Sequence, residues 1–263
     1  MLHPSCWKEK AITLICSFLL PVSMMVDVIL LNVVRLITGT LLLSYASYTD
    51  IKTRRAPNNL WVIMAVVGAI LLIIQYLDGG FPNIWYLVFI PIMIALMYLF
   101  FQMRLLFGGA DAKALMALAI LVPIQPTLFS EQLPIWKSFM PGSWIIFANA
   151  TILFLLIPIS LLIYNIGKRN LQFPHCLLGY VISVEKAKQK FVWPLEKIKD
   201  GKRKLMYMPK KFDVDEELAE FEKQGITEIW VTPKIPFMIP LLIGFIVSFI
   251  LGDILLQLVR VLL

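Results

Sequence analysis

Charge is scarce in this chain. Only 16% of its 263 residues are Asp, Glu, Lys or Arg, where a soluble domain carries about a quarter. With 59% hydrophobic residues and a mean hydropathy of +0.81, the composition excludes an ordinary soluble enzyme and points to lipid as the solvent. Cysteine is also rare. Cys6, Cys16 and Cys176 share no CxxC or CxxH spacing, so neither a zinc site nor a disulfide framework is indicated. There is no long internal repeat and no low-complexity tract. The net charge of +7 does not call for nucleic acid, because basic loops that hold membrane helices in place account for it.

A bilayer-spanning helix needs roughly 20 mostly apolar residues. Six segments qualify at about 26–48, 59–77, 84–103, 112–130, 143–166 and 235–258. Lys52, Arg54 and Arg55 follow the first span, Arg104 and Lys113 flank the third connection, and fourteen Lys and Arg lie between residues 167 and 234. The loop 78–83 has none, and the loop 131–142 has only Lys137. Alternate connections are thus basic, which the positive-inside rule reads as cytoplasmic, with both chain ends outside.

The expected architecture is an all-α polytopic membrane protein of six helices. Residues 26–166 carry the first five, 167–234 form a small α+β cytoplasmic domain, and 235–263 carry the sixth. In the polar domain, residues 177–186, 204–209 and 227–234 read as strands. Between the last two, Val214, Leu218 and Phe221 recur at helical spacing, with Asp213 and Glu216 as a capping box and Gly225 past the last turn. Residues 1–25 fit either the apolar core of a signal sequence behind Lys8-Glu9-Lys10 or an upstream extension with Met24 or Met25 as the start. Pro21 is expected to interrupt any longer helix there.

Outside the polar domain the acids are few: Glu9, Asp27, Asp50, Asp78, Asp111, Glu131 and Asp253. Carboxylates in or beside spans are costly, so each raises a functional question. Asp78 and Glu131 fall in loops. Interfacial anchoring, or pairing with Arg35 or Arg260, accounts for Asp27 and Asp253. Asp50 and Asp111 differ, because the topology puts both at the basic face: one ends the first span and the other begins the fourth. Each alone has an ordinary explanation, Asp111 as a helix cap after a glycine turn and Asp50 as a loop acid beside Lys52 or Arg54. Together they can form a dyad if the first and fourth helices pack.

The residues around the pair resemble a known family. Asp50, Lys52, Arg54, Pro57 and Asn58 make a D-x-K-x-R-x-x-P-N pattern, and Gly108, Gly109, Ala110, Asp111 and Lys113 make a Gly-rich turn, aspartate and lysine. Both are similar to the motifs of the archaeal preflagellin peptidases, within the wider type IV prepilin leader peptidases, which are aspartyl proteases of the GxGD membrane class. Ala110 stands where the bacterial pattern has glycine. The bacterial cysteine-rich loop is absent, so an N-methyltransferase activity is not implied. The resemblance implies an aspartic endopeptidase with Asp50 and Asp111 as its catalytic pair, supported by Lys52, Arg54, Gly108, Gly109 and Lys113, and needing no metal or cofactor. It also implies substrates with a short basic leader ahead of a hydrophobic helix, archaellin or pilin precursors, cut at the cytoplasmic face of the cell membrane.

Two carboxyls sharing a proton can activate water and protonate a carbonyl or leaving nitrogen. Helix ends favour an ionised Asp111 at an N-terminus and a protonated Asp50 at a C-terminus, by about 1 kcal/mol. Asp213, Asp215, Glu216 and Glu217 are candidates for receiving a basic leader, although a solvated helix face is the stronger explanation. His175 beside Cys176 has no spacing for a metal site, and adjacent residues usually point apart, whereas a nucleophilic pair needs spatial opposition and an orienting third group. A transporter with boundary carboxylates and a non-catalytic membrane scaffold are the other function classes.

Overall fold

A computed structural model describes the chain except residues 1–4, 54, 82–83, 104–107, 130–131, 191, 200–201, 207–213 and 234–235, and describes no side chains for residues 5–27, 84, 199 and 202. The chain divides into two compact units, Met1–Ile152 with Pro236–Leu263, and Leu153–Ile235.

The first unit is helical. Helix α1 (Ser5–Thr53) is followed by α2 (Asn58–Leu77), a 3-10 turn over Ile84–Val88, α3 (Phe89–Gln102), α4 (Gly109–Leu121) and the first part of α5 (Gly142–Gly167). Among the described residues, four helical stretches are long and apolar enough to cross a membrane: Val28–Thr53, Asn58–Leu77, Trp85–Gln102 and Gly142–Gly167. The helix α1 continues through Pro21 rather than stopping there, as apolar helices can when neighbouring groups re-satisfy the freed carbonyl.

Of the six expected spans, the fourth and the sixth are not helices of membrane length among the described residues. The fourth is the 13-residue α4, which ends where Val122 precedes Pro123 and is pushed out of the helical region. Ala112, Ala114, Leu115, Ala117, Leu118, Ala119 and Leu121 are all buried. A helix buried nearly all round faces protein rather than lipid and need not match the bilayer's thickness. The chain beyond it stays inside: Val122, Pro123, Pro126 and Leu128 are buried, and the Thr127 carbonyl accepts from Asn32 Nδ2 at 2.9 Å. Non-helical backbone at such depth is tolerated only when protein supplies its partners. Small residues allow this packing. A Cβ on Gly68 of α2 would lie 2.8 Å from the Leu121 backbone, so the two helix backbones nearly touch.

The sixth expected span is broken. In chain order after the second unit's elements, its helices are α9 (Met238–Ile250) and α10 (Ile254–Leu262). Between them Gly252 adopts φ 96°, and any Cβ there would collide with the Trp136 carbonyl. Asn149 holds the break, donating Nδ2 to Gly252 O at 2.8 Å and accepting from Ile254 N–H at 3.2 Å. Asp253 caps α10 by accepting from Leu256 N–H at 2.9 Å and also takes the Ser138 hydroxyl at 2.7 Å. Arg35, 1% exposed, donates to Asn32 Oδ1 and Gln75 Oε1 at 2.7 Å each, so two amides share its charge inside the bundle.

The second unit begins within α5 and holds a small α+β fold. Its elements are α6 (His175–Leu178), β1 (Tyr180–Ser183), α7 (Val184–Gln189), β2 (Val192–Pro194), β3 (Glu196–Lys199), β4 (Lys202–Leu205), α8 (Val214–Lys223) and β5 (Glu228–Pro233). Strand β5 lies between β1 and β2, antiparallel to both, and β3 with β4 forms a separate hairpin. Leu218 and Phe221 of α8 pack on Val184, Ala187, Ile229 and Val231, the face expected from their spacing. The helix closes at Gly225, φ 69°, with Gly225 N–H to Glu222 O and Ile226 N–H to Phe221 O, the paired bonds of a Schellman end. Two readings of strands shift: residues 184–189 are helical, and the pairing around 204 stops at Leu205. Asp213 and residues 207–209 lie outside the described residues.

Candidate functional site

Asp50 lies in the last turn of α1, three residues before its end at Thr53, and is half-buried. The helix thus runs past the position where the apolar span stops. The Thr53 hydroxyl sits 2.9 Å from Thr49 O and 3.2 Å from Arg55 O, tying the final turn to the connection that follows. One turn before Asp50, buried Ser47 donates to the Met238 carbonyl at 3.0 Å, which fixes this end of α1 against α9. Pro57, with φ −62° and ψ 135°, precedes α2, which starts at Asn58; proline's missing N–H costs nothing at such a start.

Asp111 sits in the first turn of α4, outside the four membrane-length helices. Gly108 is the N-cap, so Asp111 is the third helical residue, the place from which a carboxylate reaches back to the cap's own N–H. It does so here, and the Gly108 N–H acts to hold a negative charge on it. That fold-back explains Gly108. A Cβ there would collide with Asp111 Oδ2 and lie 2.9 Å from Cγ. Gly109 has no such need, since a Cβ on it would meet only the Phe101 ring at 3.6 Å, an ordinary contact. The two glycines of the motif therefore differ in what they do for the site.

The two aspartates lie near enough for the charge of Asp50 to act on Asp111. The Asp111 carboxyl is pushed up to about 7, first by its removal from water, then by the charge of Asp50, with the Gly108 N–H opposing both. At Asp111 this runs against the direction expected from the helix end alone. The N-terminal field of α4 is worth about 1 kcal/mol, and burial with a like charge alongside exceeds it.

The flanking residues divide. Lys113 Nζ donates to Asn58 Oδ1 at 2.9 Å, so the lysine of the second motif reaches the asparagine of the first. The position of Asn58 at the start of α2 makes it the acceptor for that lysine. Lys52 is exposed and sits over the Tyr48 ring at 5.8 Å, one turn back on its own helix. Arg54 lies outside the described residues. In the second unit, Asp215 and Glu216 are exposed on α8 while Glu217 is half-buried; burial raises the Glu217 carboxyl and Lys197 offsets part of that. His175 is buried with Nε2 3.6 Å from Glu196 Oε1, and Cys176 beside it is a buried thiol. Among the described residues no cluster of three or more His, Cys, Asp or Glu is arranged to hold a metal.

Comparison with known proteins decides the family. Residues 36–167, half of the chain and including both aspartates, match the type IV leader peptidase family. The chain belongs to the type IV leader peptidase family. Residues 171–254 match the archaeal peptidase A24 C-terminus type II. The preflagellin peptidase of Methanococcus voltae is 29% identical over 237 residues, covering 84% of this chain and 96% of that protein. The preflagellin peptidase of Methanocaldococcus jannaschii is 25% identical over 239 residues, covering 84% and 94%. As a member of this family the chain is a membrane protease that removes leader peptides, and neither the transporter nor the scaffold reading is favoured.

Proposed function

We propose that the protein is an aspartic endopeptidase whose Asp50 and Asp111 cut short basic leaders from preflagellin-like precursors at the cytoplasmic face of the cell membrane. The observation that carries this is the placement of Asp50 in the last turn of α1 and Asp111 in the first turn of α4, within the segment that matches the family, with the charge of Asp50 acting on Asp111. One proton between two carboxyls is the state that peptide hydrolysis uses.

In that state ionised Asp50 takes a proton from water, and the hydroxide formed attacks the scissile carbonyl carbon. Protonated Asp111 donates to the carbonyl oxygen, giving a neutral tetrahedral diol. The proton now on Asp50 passes to the amide nitrogen and the C–N bond breaks. Asp111 regains its proton from the diol as the carboxylic acid product forms. No metal or organic cofactor enters this scheme. Cytoplasmic placement rests on Lys52, Arg54, Arg55, Arg104 and Lys113 around the two motifs, through the positive-inside rule. The substrate class rests on the names of the relatives.

The test mixes membranes carrying the protein with a precursor that bears a basic leader and follows product size. The shortened product forms with the wild type and is lost with Asp50→Ala and with Asp111→Ala. Cleavage that survives both substitutions removes the dyad.

A further inference from the structure

Where α5 ends at Gly167, the chain does not become uniformly polar. Lys168 and Arg169 are exposed, and Leu171 and Phe173 follow at 59% and 76% exposure. Such exposure is unremarkable in a floppy loop, but this turn is held from both sides. Arg169 N–H bonds Ile166 O and Asn170 N–H bonds Asn165 O, closing the helix by the pattern in which glycine normally takes the left-handed position. Arg169 occupies that position at φ 59°. Asn165, fully buried, donates Nδ2 to Cys176 O at 2.9 Å and to Gly179 O at 2.7 Å. Gln172 accepts from Trp230 Nε1 at 3.1 Å, and its carbonyl accepts from Cys176 N–H. The backbone is pinned while two large apolar side chains stand in the open.

Their surroundings identify what covers them. Leu155, Ile159, Ile163 and Ile166 form an exposed stripe along α5, a helix long and apolar enough to span a bilayer. Leu171 and Phe173 follow just past the helix end in sequence, with the two exposed cations between. Apolar side chains at the acyl boundary with cations at phosphate level make the usual chemistry of an interfacial anchor. A left-handed arginine fits this arrangement, since a strained position held by a charged residue points to a use for the charge.

We propose that residues 168–173 form a membrane-surface anchor, in which Leu171 and Phe173 enter the acyl boundary and Lys168 and Arg169 pair with anionic lipid phosphates. The anchor is independent of the aspartate dyad. It fixes the turn from which the second unit's sheet departs against the bilayer surface.

The test is lipid photo-crosslinking in the full chain, reconstituted in vesicles of phosphatidylcholine with phosphatidylglycerol. Phe173→benzoylphenylalanine gives lipid adducts about tenfold more often than Gln224→benzoylphenylalanine, an exposed polar position in the same unit. Adding Lys168→Gln and Arg169→Gln lowers the adducts at position 173 to the level found in phosphatidylcholine alone. Equal adduct frequency at positions 173 and 224 overturns the anchor. So do photoproducts that join position 173 to a second copy of the chain instead of lipid. A double variant indistinguishable from its parent in both vesicle types overturns the role of the cations. Leader cleavage, measured on the same samples, is unaffected by which of these results is found.

Discussion

Lys113 Nζ and Asn58 Oδ1 meet at 2.9 Å. The contact joins the second turn of α4 to the first residue of α2, and therefore the helix carrying Asp111 to the connection leaving Asp50's helix. It is exposed, so its stability value is small, about 1 kcal/mol or less. Its geometric value is larger, because a dyad tolerates little change in separation. Asn58→Ala is expected to lower kcat about tenfold with an unfolding temperature close to wild type. Asn58→Asp, which keeps an acceptor for the lysine, retains most of the rate. Equal loss in both variants assigns Asn58 some other task.

Gly108→Ala tests the fold-back of Asp111. The Gly108 backbone, φ −103° and ψ 122°, is open to alanine, so harm comes only from the methyl group meeting the carboxylate. Displacing a reacting group by about 1 Å costs on the order of 100-fold in rate, and a loss of that size is expected. Gly109→Ala meets only a ring edge and leaves the rate within about twofold. Steady-state cleavage of one precursor by both variants makes the comparison.

The pH dependence follows from Asp111. Its carboxyl is raised from the ordinary 3.8 to about 7, so the folded chain binds this proton more tightly than the unfolded chain. The stabilisation is complete below about 3.8, is lost as pH rises to about 7, and is absent above it. Asp111→Asn removes that slope and raises the unfolding temperature near neutral pH, since a partly desolvated charge beside Asp50 is gone. Activity of the wild type declines as pH rises through about 7, where the shared proton leaves. Unfolding scans of both proteins from pH 4 to pH 8, about the window just named, show the slope in one only.

Asp253→Ala separates structure from chemistry. It removes the cap of α10 and the Ser138 bond, which together are worth about 1–3 kcal/mol. The unfolding temperature falls accordingly, while kcat per folded molecule stays at the wild-type value. A specific loss of kcat assigns this carboxylate a part in the reaction.

Much of this arrangement is legible in the residues, and the parts that are not have physical reasons. Alternating basic and apolar segments mark the helices, and the spacing of Val214, Leu218 and Phe221 marks α8 together with its glycine end. Helix α4 is misjudged in length because apolar composition measures burial and cannot tell lipid from protein. The same ambiguity hides the break at Gly252, whose reason is a carbonyl of Trp136 from a distant loop. Asp50 and Asp111 stand out as acids where acids are expensive. The raised carboxyl of Asp111 does not, because the helix-end argument lacks its removal from water, which only the packed helices supply. The partnership of Asn58 with Lys113 is equally invisible in one dimension, as it links residues on separate helices.

Single and double replacement of the aspartates gives the most direct measurement of the central claim, that Asp50 and Asp111 act as one proton-sharing unit. Turnover of a leader-bearing precursor is measured for Asp50→Asn, Asp111→Asn and the double variant, with folding of each verified by its unfolding transition. Groups that work as a unit are non-additive, so each single variant falls to the same residual rate as the pair. Two partial losses that multiply in the double variant, or near-normal turnover in either single one, contradict it.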